Sequence, residues 1–462
     1  MTTLTWKKFL IAPAMIALFA GSCKVDPKLL NPDASLTKEG LLADTVRITV
    51  DKNAQLMTTS LKLGVTYMKN NLDSWGDGPS ITRGTNLLKG AVVYHNQHIF
   101  GFGAGNPEPR PGIYDWTSLD ERVSLMTTTM LSTPVITFAT APTWMTDTTW
   151  YAGKYDEDTD WDKIEWAPLF SHEKDFAHLC AETAKRYTSV KYFQVWNELK
   201  DMWDTLPGHN RWDYERYTRL YNLVYDSVKA VRPDAIIGGP YIGIDSWQNP
   251  PSGASSGISD PATYGTLDQR CLDVVTYWLQ HKHGGDFLCI DGGIDANDQD
   301  ATDIIASTKK FKDVSTWIHA QTNLPVWWSE DYVGLNTDTT KQPAALGCML
   351  VYHALGGDAV SLRWSPEQQE GEGNVSNFFS STLVPNGGKP FNNYFLYKDF
   401  NTYFPAGTKL YTTTVSATSV MVMSSQTKIM LINKTAALQK TKINNTLAVN
   451  LNPYQVKYVT LP

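Results

Sequence analysis

Tyr192-Phe193-Gln194-Val195-Trp196-Asn197-Glu198 is a short strand-forming run that ends in a carboxylate, and Pro325-Val326-Trp327-Trp328-Ser329-Glu330 repeats the arrangement further along the chain. Aromatic and β-branched residues suit a buried, pleated surface, so each run reads as a strand with an acid just past its end. Similar apolar runs recur from about residue 60 to 365 and alternate with longer stretches of helical period, the pattern of a parallel sheet joined by helices. Eight units fit, with strands expected near residues 61–66, 90–94, 134–140, 192–196, 235–239, 286–290, 325–329 and 358–364. The reading is therefore α/β, a (β/α)₈ TIM barrel over residues 59–393.

Phe176, Leu179, Cys180, Ala184 and Tyr187 fall on one face of a helix, as do Tyr217, Leu220, Tyr221, Val224 and Val228. Pro233 stops the second helix, and Gly356-Gly357 ends the one before the last strand. A doubly wound open sheet is the rival architecture. It usually carries a glycine-rich nucleotide turn, and the chain has no GxGxxG or Walker sequence. Over 394–462 the texture changes to alternating, Thr- and Val-rich runs at 419–423, 428–432 and 455–460, which read as antiparallel strands with one buried face. Residues 44–58 have the same character, so an N-terminal strand is expected to join a small antiparallel β-sandwich.

Lys7 and Lys8 precede an apolar run from Phe9 to Ala20, which reads as an export signal too short to span a bilayer. Ala20-Gly21-Ser22-Cys23 resembles a bacterial lipobox, in which cleavage leaves a lipidated cysteine at the new N-terminus. That resemblance implies a signal peptide over 1–23, a lipid anchor on Cys23, a tether over 24–43, and an exported lipoprotein held at a membrane, periplasmic or cell-surface. An ordinary signal peptide with an incidental cysteine is the alternative. The 462 residues carry a formal charge of -7, which offers no attraction to a polyanion, so nucleic acid is not an expected partner. The other cysteines, Cys180, Cys271, Cys289 and Cys348, are widely spaced without a CxxC or Cys/His pattern and read as small buried hydrophobes.

In such a barrel the reactive groups stand at the C-terminal ends of the strands. Glu198 and Glu330 end strands four and seven and could face one another across the mouth. Retaining hydrolysis of a glycoside needs two carboxyls roughly 5–5.5 Å apart, one protonated to release the leaving group and one ionised to attack the anomeric carbon. Burial and a neighbouring negative charge raise the acid's pKa, while hydrogen-bond donors keep the nucleophile ionised. A structural ion pair at the end of a strand is the plainer reading of either glutamate.

Trp196-Asn197-Glu198 resembles the Asn-Glu acid/base pair of the clan A glycoside hydrolases, and Ser329-Glu330 resembles their nucleophile strand. The nearest family is glycoside hydrolase family 39, which contains β-xylosidases and α-L-iduronidases. Gly238-Gly239-Pro240, Gly112-Ile113-Tyr114-Asp115-Trp116 with Leu119-Asp120, and the Gly-Lys-Pro within 382–394 are similar to segments common there. The resemblance covers about residues 60–400. It implies that Glu198 is the acid/base, Glu330 the nucleophile and Asn197 the ligand of the sugar 2-hydroxyl, that Trp364 floors the sugar site, and that His95 or His98 binds sugar. A carbohydrate substrate and no cofactor follow, with a β-xyloside the first to try.

Strand six departs from the pattern. The clan ends it in a His and a Tyr that hydrogen-bonds the nucleophile, whereas this chain reads Cys289-Ile290-Asp291-Gly292-Gly293. An Asp291 near Glu330 would raise the nucleophile's pKa. Either another residue supplies the donor or the motif is offset there. Trp75, Trp144, Trp150, Trp161, Trp166, Trp203 and Trp247 fall in loops after strands and suggest an aromatic cleft that stacks on sugar faces. Asp156, Glu157, Asp158, Asp160 and Asp162 lack the glycine and terminal glutamate of an EF-hand and read as a solvated loop, with a calcium site as the alternative; no metal is expected. Two alternatives stand beside the hydrolase: a non-catalytic cell-surface glycan-binding lipoprotein, and an α-L-iduronidase-like enzyme. The latter would call for a cation near the site, where Arg363 is the evident strand-end candidate.

Overall fold

The computed structural model describes residues 45–68, 76–146, 165–334, 339–368 and 377–462. The expected signal segment, Cys23, the tether, Trp75, Trp150, Trp161 and the acidic loop lie outside them. Eight parallel strands close into a barrel in chain order: Lys62–Thr66, Tyr94–His98, Thr133–Phe138, Tyr192–Val195, Ile236–Gly243, Phe287–Gly293, Val326–Tyr332 and Val360–Arg363. Between and after them run the helices Gly78–Leu88, Thr117–Ser124, Glu173–Arg186, Tyr214–Val231, Gln269–His281, Lys309–Gln321, Gln342–Gly356 and Asn392–Tyr403. The TIM barrel is thus the observed fold.

Three differences from the sequence reading have physical causes. The second strand is Tyr94–His98 rather than 90–94, because Gly90 turns the chain at φ 77° and the strand's own residues His95, Asn96, Gln97 and His98 are polar yet fully buried. Strands five, six and seven run three or four residues past the expected ends, so Tyr241, Asp291, Glu330 and Tyr332 stand on strands rather than loops. Finally, Asn392–Tyr403 is the eighth barrel helix, with Tyr394, Tyr397 and Phe400 buried at helical spacing and the Tyr397 hydroxyl donating to the Gly64 carbonyl at 2.7 Å. The antiparallel strands therefore begin at Lys409, beyond the expected boundary at 394.

The polar strand two explains how the mouth is aligned. Asn96 Nδ2 donates to Thr66 Oγ1 at 3.1 Å, Thr137 Oγ1 to Asn96 Oδ1 at 2.9 Å, and Gln194 Nε2 to Thr137 Oγ1 at 3.2 Å. Ser329 Oγ closes the belt on Gln194 Oε1, and Thr66 Oγ1 donates back to the Ser329 carbonyl. All five residues are fully buried. A buried polar network with every member partnered fixes register, which an apolar layer of the same volume does only loosely. Here it joins the strand that carries Glu198 to the one that carries Glu330, one layer below both.

The appendage is a sandwich of two sheets. One holds Val46–Thr58, Lys409–Val415, Gln439–Ile443 and Leu447–Leu451; the other holds Val420–Ser424, Lys428–Asn433 and Val456–Thr460. The N-terminal strand joins as expected, antiparallel to Lys409–Val415 and parallel to Gln439–Ile443. Val46, Ile48 and Val50 point inward onto Ile429, Leu431 and Ile443, as the alternation of the sequence requires. Cys180, Cys271, Cys289 and Cys348 are all free and buried. Among the described residues no helix is long and apolar enough to cross a membrane.

Candidate active site

Past Val195 the chain must leave the barrel abruptly. Trp196, Glu198 and Leu199 take φ values of 65°, 50° and 48°, a left-handed region that side chains other than glycine enter at a cost. What holds the turn is Trp196: its ring is buried edge-on against Phe176 at 5.6 Å, and its Nε1 donates to the Lys200 carbonyl at 3.0 Å. The result points Glu198 into the mouth with its side chain 34% exposed. Lys200 Nζ lies 3.3 Å from Glu198 Oε2 and 2.6 Å from Glu165 Oε1. Burial favours the neutral amine, but the Glu198 and Glu165 carboxylates outweigh it and hold Lys200 charged.

Glu330 is 3% exposed and carries a tyrosine on each oxygen. Tyr241 donates to Oε1 at 2.8 Å, and Tyr332 donates to Oε2. Burial, then the charge of Glu198, pushes the Glu330 carboxyl above its ordinary range, while the two hydroxyls and Lys200 pull it back. Asp291 lies opposite Glu330 in the sheet, with an irregularity in the pairing just before it that re-aims the side chain. Burial, then Glu198 and Glu330, raises its carboxyl well above the usual aspartate value. One oxygen each of Glu198, Asp291 and Glu330 lie within 4.8 Å of one another. This is the one acidic grouping among the described residues close enough to share a cation, and Lys200 on Glu198 and a tyrosine hydroxyl on each oxygen of Glu330 are the donors that already meet it.

The donor absent from strand six is therefore supplied by strand five and by Tyr332, and Asp291 does stand beside the nucleophile candidate. Both tyrosines escaped the sequence reading. Tyr241 follows Gly238-Gly239-Pro240, and Tyr332 lies two residues past Glu330, hence on the same face of a strand that was expected to have ended. The Gly-Gly pair is there for close approach: a Cβ on Gly238 would come within 2.2 Å of the Phe287 ring.

Asn197 is 4% exposed at the same mouth, and its Oδ1 has no partner among the described residues. Trp364 is half-buried and tilts against Tyr332 at 5.9 Å, which brings it to the nucleophile's side. His95 is fully buried with Nε2 3.2 Å from the Tyr67 carbonyl, whereas both ring nitrogens of the equally buried His98 lack partners among the described residues. Burial, with Lys200 and Arg122 adding to it, lowers His98 to about 3, so it stands there as a neutral imidazole. Trp144 is only 7% exposed, edge-on to His172, with Nε1 donating to the Glu108 carbonyl at 2.8 Å, a wall residue rather than an open stacking face. Tyr114 and Trp116 stack on each other at 5.2 Å, and Arg186, held by Asp120 at 2.7 Å, lies 5.6 Å over the Trp116 ring, so that motif clamps a helix and holds no reactive group. Arg363 is 1% exposed and donates to Asp331 Oδ1 at 2.9 Å.

No protein-family model matches the chain, and no curated protein is similar to it in sequence. Solved structures do share its fold. It is similar to a glycoside hydrolase family 39 β-xylosidase from Caulobacter crescentus, 14% identical over 86% of this chain and 83% of that one, with a TM-score of 0.52. A conserved exported protein from Bacteroides fragilis is 12% identical, covering 89% of this chain and 98% of that one at a TM-score of 0.58. An endo-β1,6-glucanase is 11% identical over 89% and 93% at 0.55. At such identities the likeness is one of fold, an eight-stranded parallel barrel with a β appendage.

Proposed function

We propose that this protein is a retaining glycoside hydrolase in which Glu330 attacks the anomeric carbon and Glu198 serves as acid, then base. The observation that carries the reading is the meeting of Glu198 and Glu330, with oxygens within 4.8 Å, at the C-terminal ends of strands four and seven. That spacing leaves room for a sugar's anomeric carbon but not for the extra water that inversion places between its carboxyls. Environment assigns the roles. Glu330 is dry and fixed, and its two hydroxyl donors offset part of the rise that burial and the Glu198 charge impose, so it is the carboxyl equipped to carry charge when it attacks. Glu198 is open to solvent at the mouth, where a leaving group departs and a water arrives. It gives its proton to the glycosidic oxygen as the glycosyl–Glu330 ester forms, then takes one from the water that cleaves the ester. Asn197, Trp364 and His98 would line the sugar ring.

A β-xyloside is the first substrate to try, and membership of family 39 is part of this proposal. Export and anchoring through lipidated Cys23 belong to it too; Cys23→Ala should release the protein from the membrane fraction. The iduronidase-like alternative loses support because Arg363 is committed to Asp331. The glycan-binding alternative draws on Asp291, whose proximity opposes ionisation of Glu330. A panel of aryl glycosides and oligosaccharides followed by proton NMR decides between them: the first-formed product should keep the substrate's anomeric configuration. An inverted product, or binding without turnover of any member, contradicts the assignment.

A further inference from the structure

Two-carboxyl hydrolysis gives Asp291 no task, yet the site is built around it. Its carboxyl is 1% exposed and, apart from a carboxyl–carboxyl hydrogen bond with Glu198, neither oxygen has a partner among the described residues. Space is reserved for it. On its other side the neighbouring residue is Gly243, where an added Cβ would come within 2.9 Å of Asp291 Oδ1. A second buried acceptor, Asn197 Oδ1, is unmet at the same mouth. Buried acceptors left without donors are costly in an empty fold and serve as the complement of a ligand that brings donors.

Charge narrows what that ligand is. The ionisable groups around Asp291 are Glu198, Glu330, Tyr241 and Tyr332, with Asp245 and the buried Lys310 behind it. Lys200, the cation at the mouth, is held by Glu198 and Glu165, and Lys310 feels Asp245 more strongly than it feels Asp291. Three carboxyls thus converge with no cation in contact with the innermost. With the site empty, the crowding is relieved by a proton held on Asp291; a sugar hydroxyl would add a hydrogen bond but give no reason to release that proton, whereas an ammonium brings three donors and a positive charge that stabilises Asp291 as a carboxylate. Resting on the glycosidase reading of this site, we propose that Asp291 selects a glycone bearing a cationic amine, so that the preferred substrate is an amino-sugar glycoside.

The test uses aryl β-glycosides in matched pairs, each hydroxyl parent in the xylo, gluco and galacto series against its analogue with an amine at C2, C3, C4 or C6. At one position or more the amine should raise kcat/KM of the wild type tenfold or more over its parent. Asp291→Asn should cut that advantage at least tenfold, and Gly243→Ala, which crowds the carboxyl out of place, should cut it as well. Faster turnover of every hydroxyl parent, or an amine preference undiminished in Asp291→Asn, overturns the proposal and leaves the glycosidase reading intact. Absence of turnover for every pair overturns both.

Discussion

The ends of strands four and seven each present a glutamate, and they are built in opposite ways. Strand four stops at Val195 and throws Glu198 out through a left-handed turn onto a lysine at the rim, a third of its side chain in solvent. Strand seven continues two residues past Glu330, through a shift in its pairing with both neighbours, and seals it under Tyr241 and Tyr332. A group that must exchange protons with a leaving alcohol and then with water needs access; a group that must form a bond to carbon needs a fixed, dry position with donors that stabilise its charge. The difference in backbone is therefore a difference in task, and each variant below tests one side of it.

Removing the strand-seven acid should have the largest effect. Glu330→Ala should lower turnover by roughly 10⁴-fold or more, as loss of a covalent nucleophile does elsewhere, with thermal melting confirming the fold. Glu198→Ala should cost about 10²–10⁴-fold, the usual worth of a general acid/base. On an aryl glycoside with a good leaving group, azide should restore its rate and yield a glycosyl azide of retained configuration. A rate equal to wild type in either variant would erase the contrast.

Tyr241→Phe and Tyr332→Phe each remove one donor from a buried carboxylate, worth about 1.5–3 kcal/mol, or roughly 10–100-fold in kcat/KM. The direction with pH is fixed. Those hydroxyls hold the Glu330 carboxyl down against burial and the charge of Glu198, so without one the carboxyl rises further. Because Glu330 must be ionised to attack, the acid limb of the kcat/KM profile should move to higher pH. An unmoved limb would mean that the tyrosines only fill space.

The smallest effect is on stability. Asp291 keeps its proton in the fold to well above the ordinary aspartate range, whereas the unfolded chain loses it within that range. Between those limits the native state binds more protons, so stability falls as pH rises through the window. Asp291→Asn removes the slope: it should melt about 1–3 °C above wild type at pH 7 and close to it at pH 3. An equal or lower melting temperature at pH 7 would show that Asp291 is charge-compensated in the fold.

The barrel was legible because its strands are apolar and its helices amphipathic, and Glu198 and Glu330 were legible because each follows an apolar run. Strand two was misplaced for the converse reason: His95, Asn96, Gln97 and His98 fill the barrel interior with polar groups, and periodicity of apolar residues does not register a buried hydrogen-bonded belt. Tyr241 and Tyr332 were missed because how far a strand runs past its apolar core is set by pairing with its neighbours, which single-chain texture does not encode. The eighth helix was hidden among the aromatic residues of 392–403, whose burial depends on the strand-one carbonyl that Tyr397 reaches. Asp291 was visible as a departure from the family pattern, but that it lies buried against both glutamates took the fold to see.

The most direct test of the central claim is covalent trapping. A 2-deoxy-2-fluoro glycoside with an activated leaving group, matched to whichever sugar the enzyme hydrolyses, should inactivate it with one-to-one stoichiometry, and peptide mass spectrometry should find the sugar esterified to Glu330. A label on Glu198 or Asp291, or turnover of the parent sugar with no trapped ester under any condition, would contradict the account.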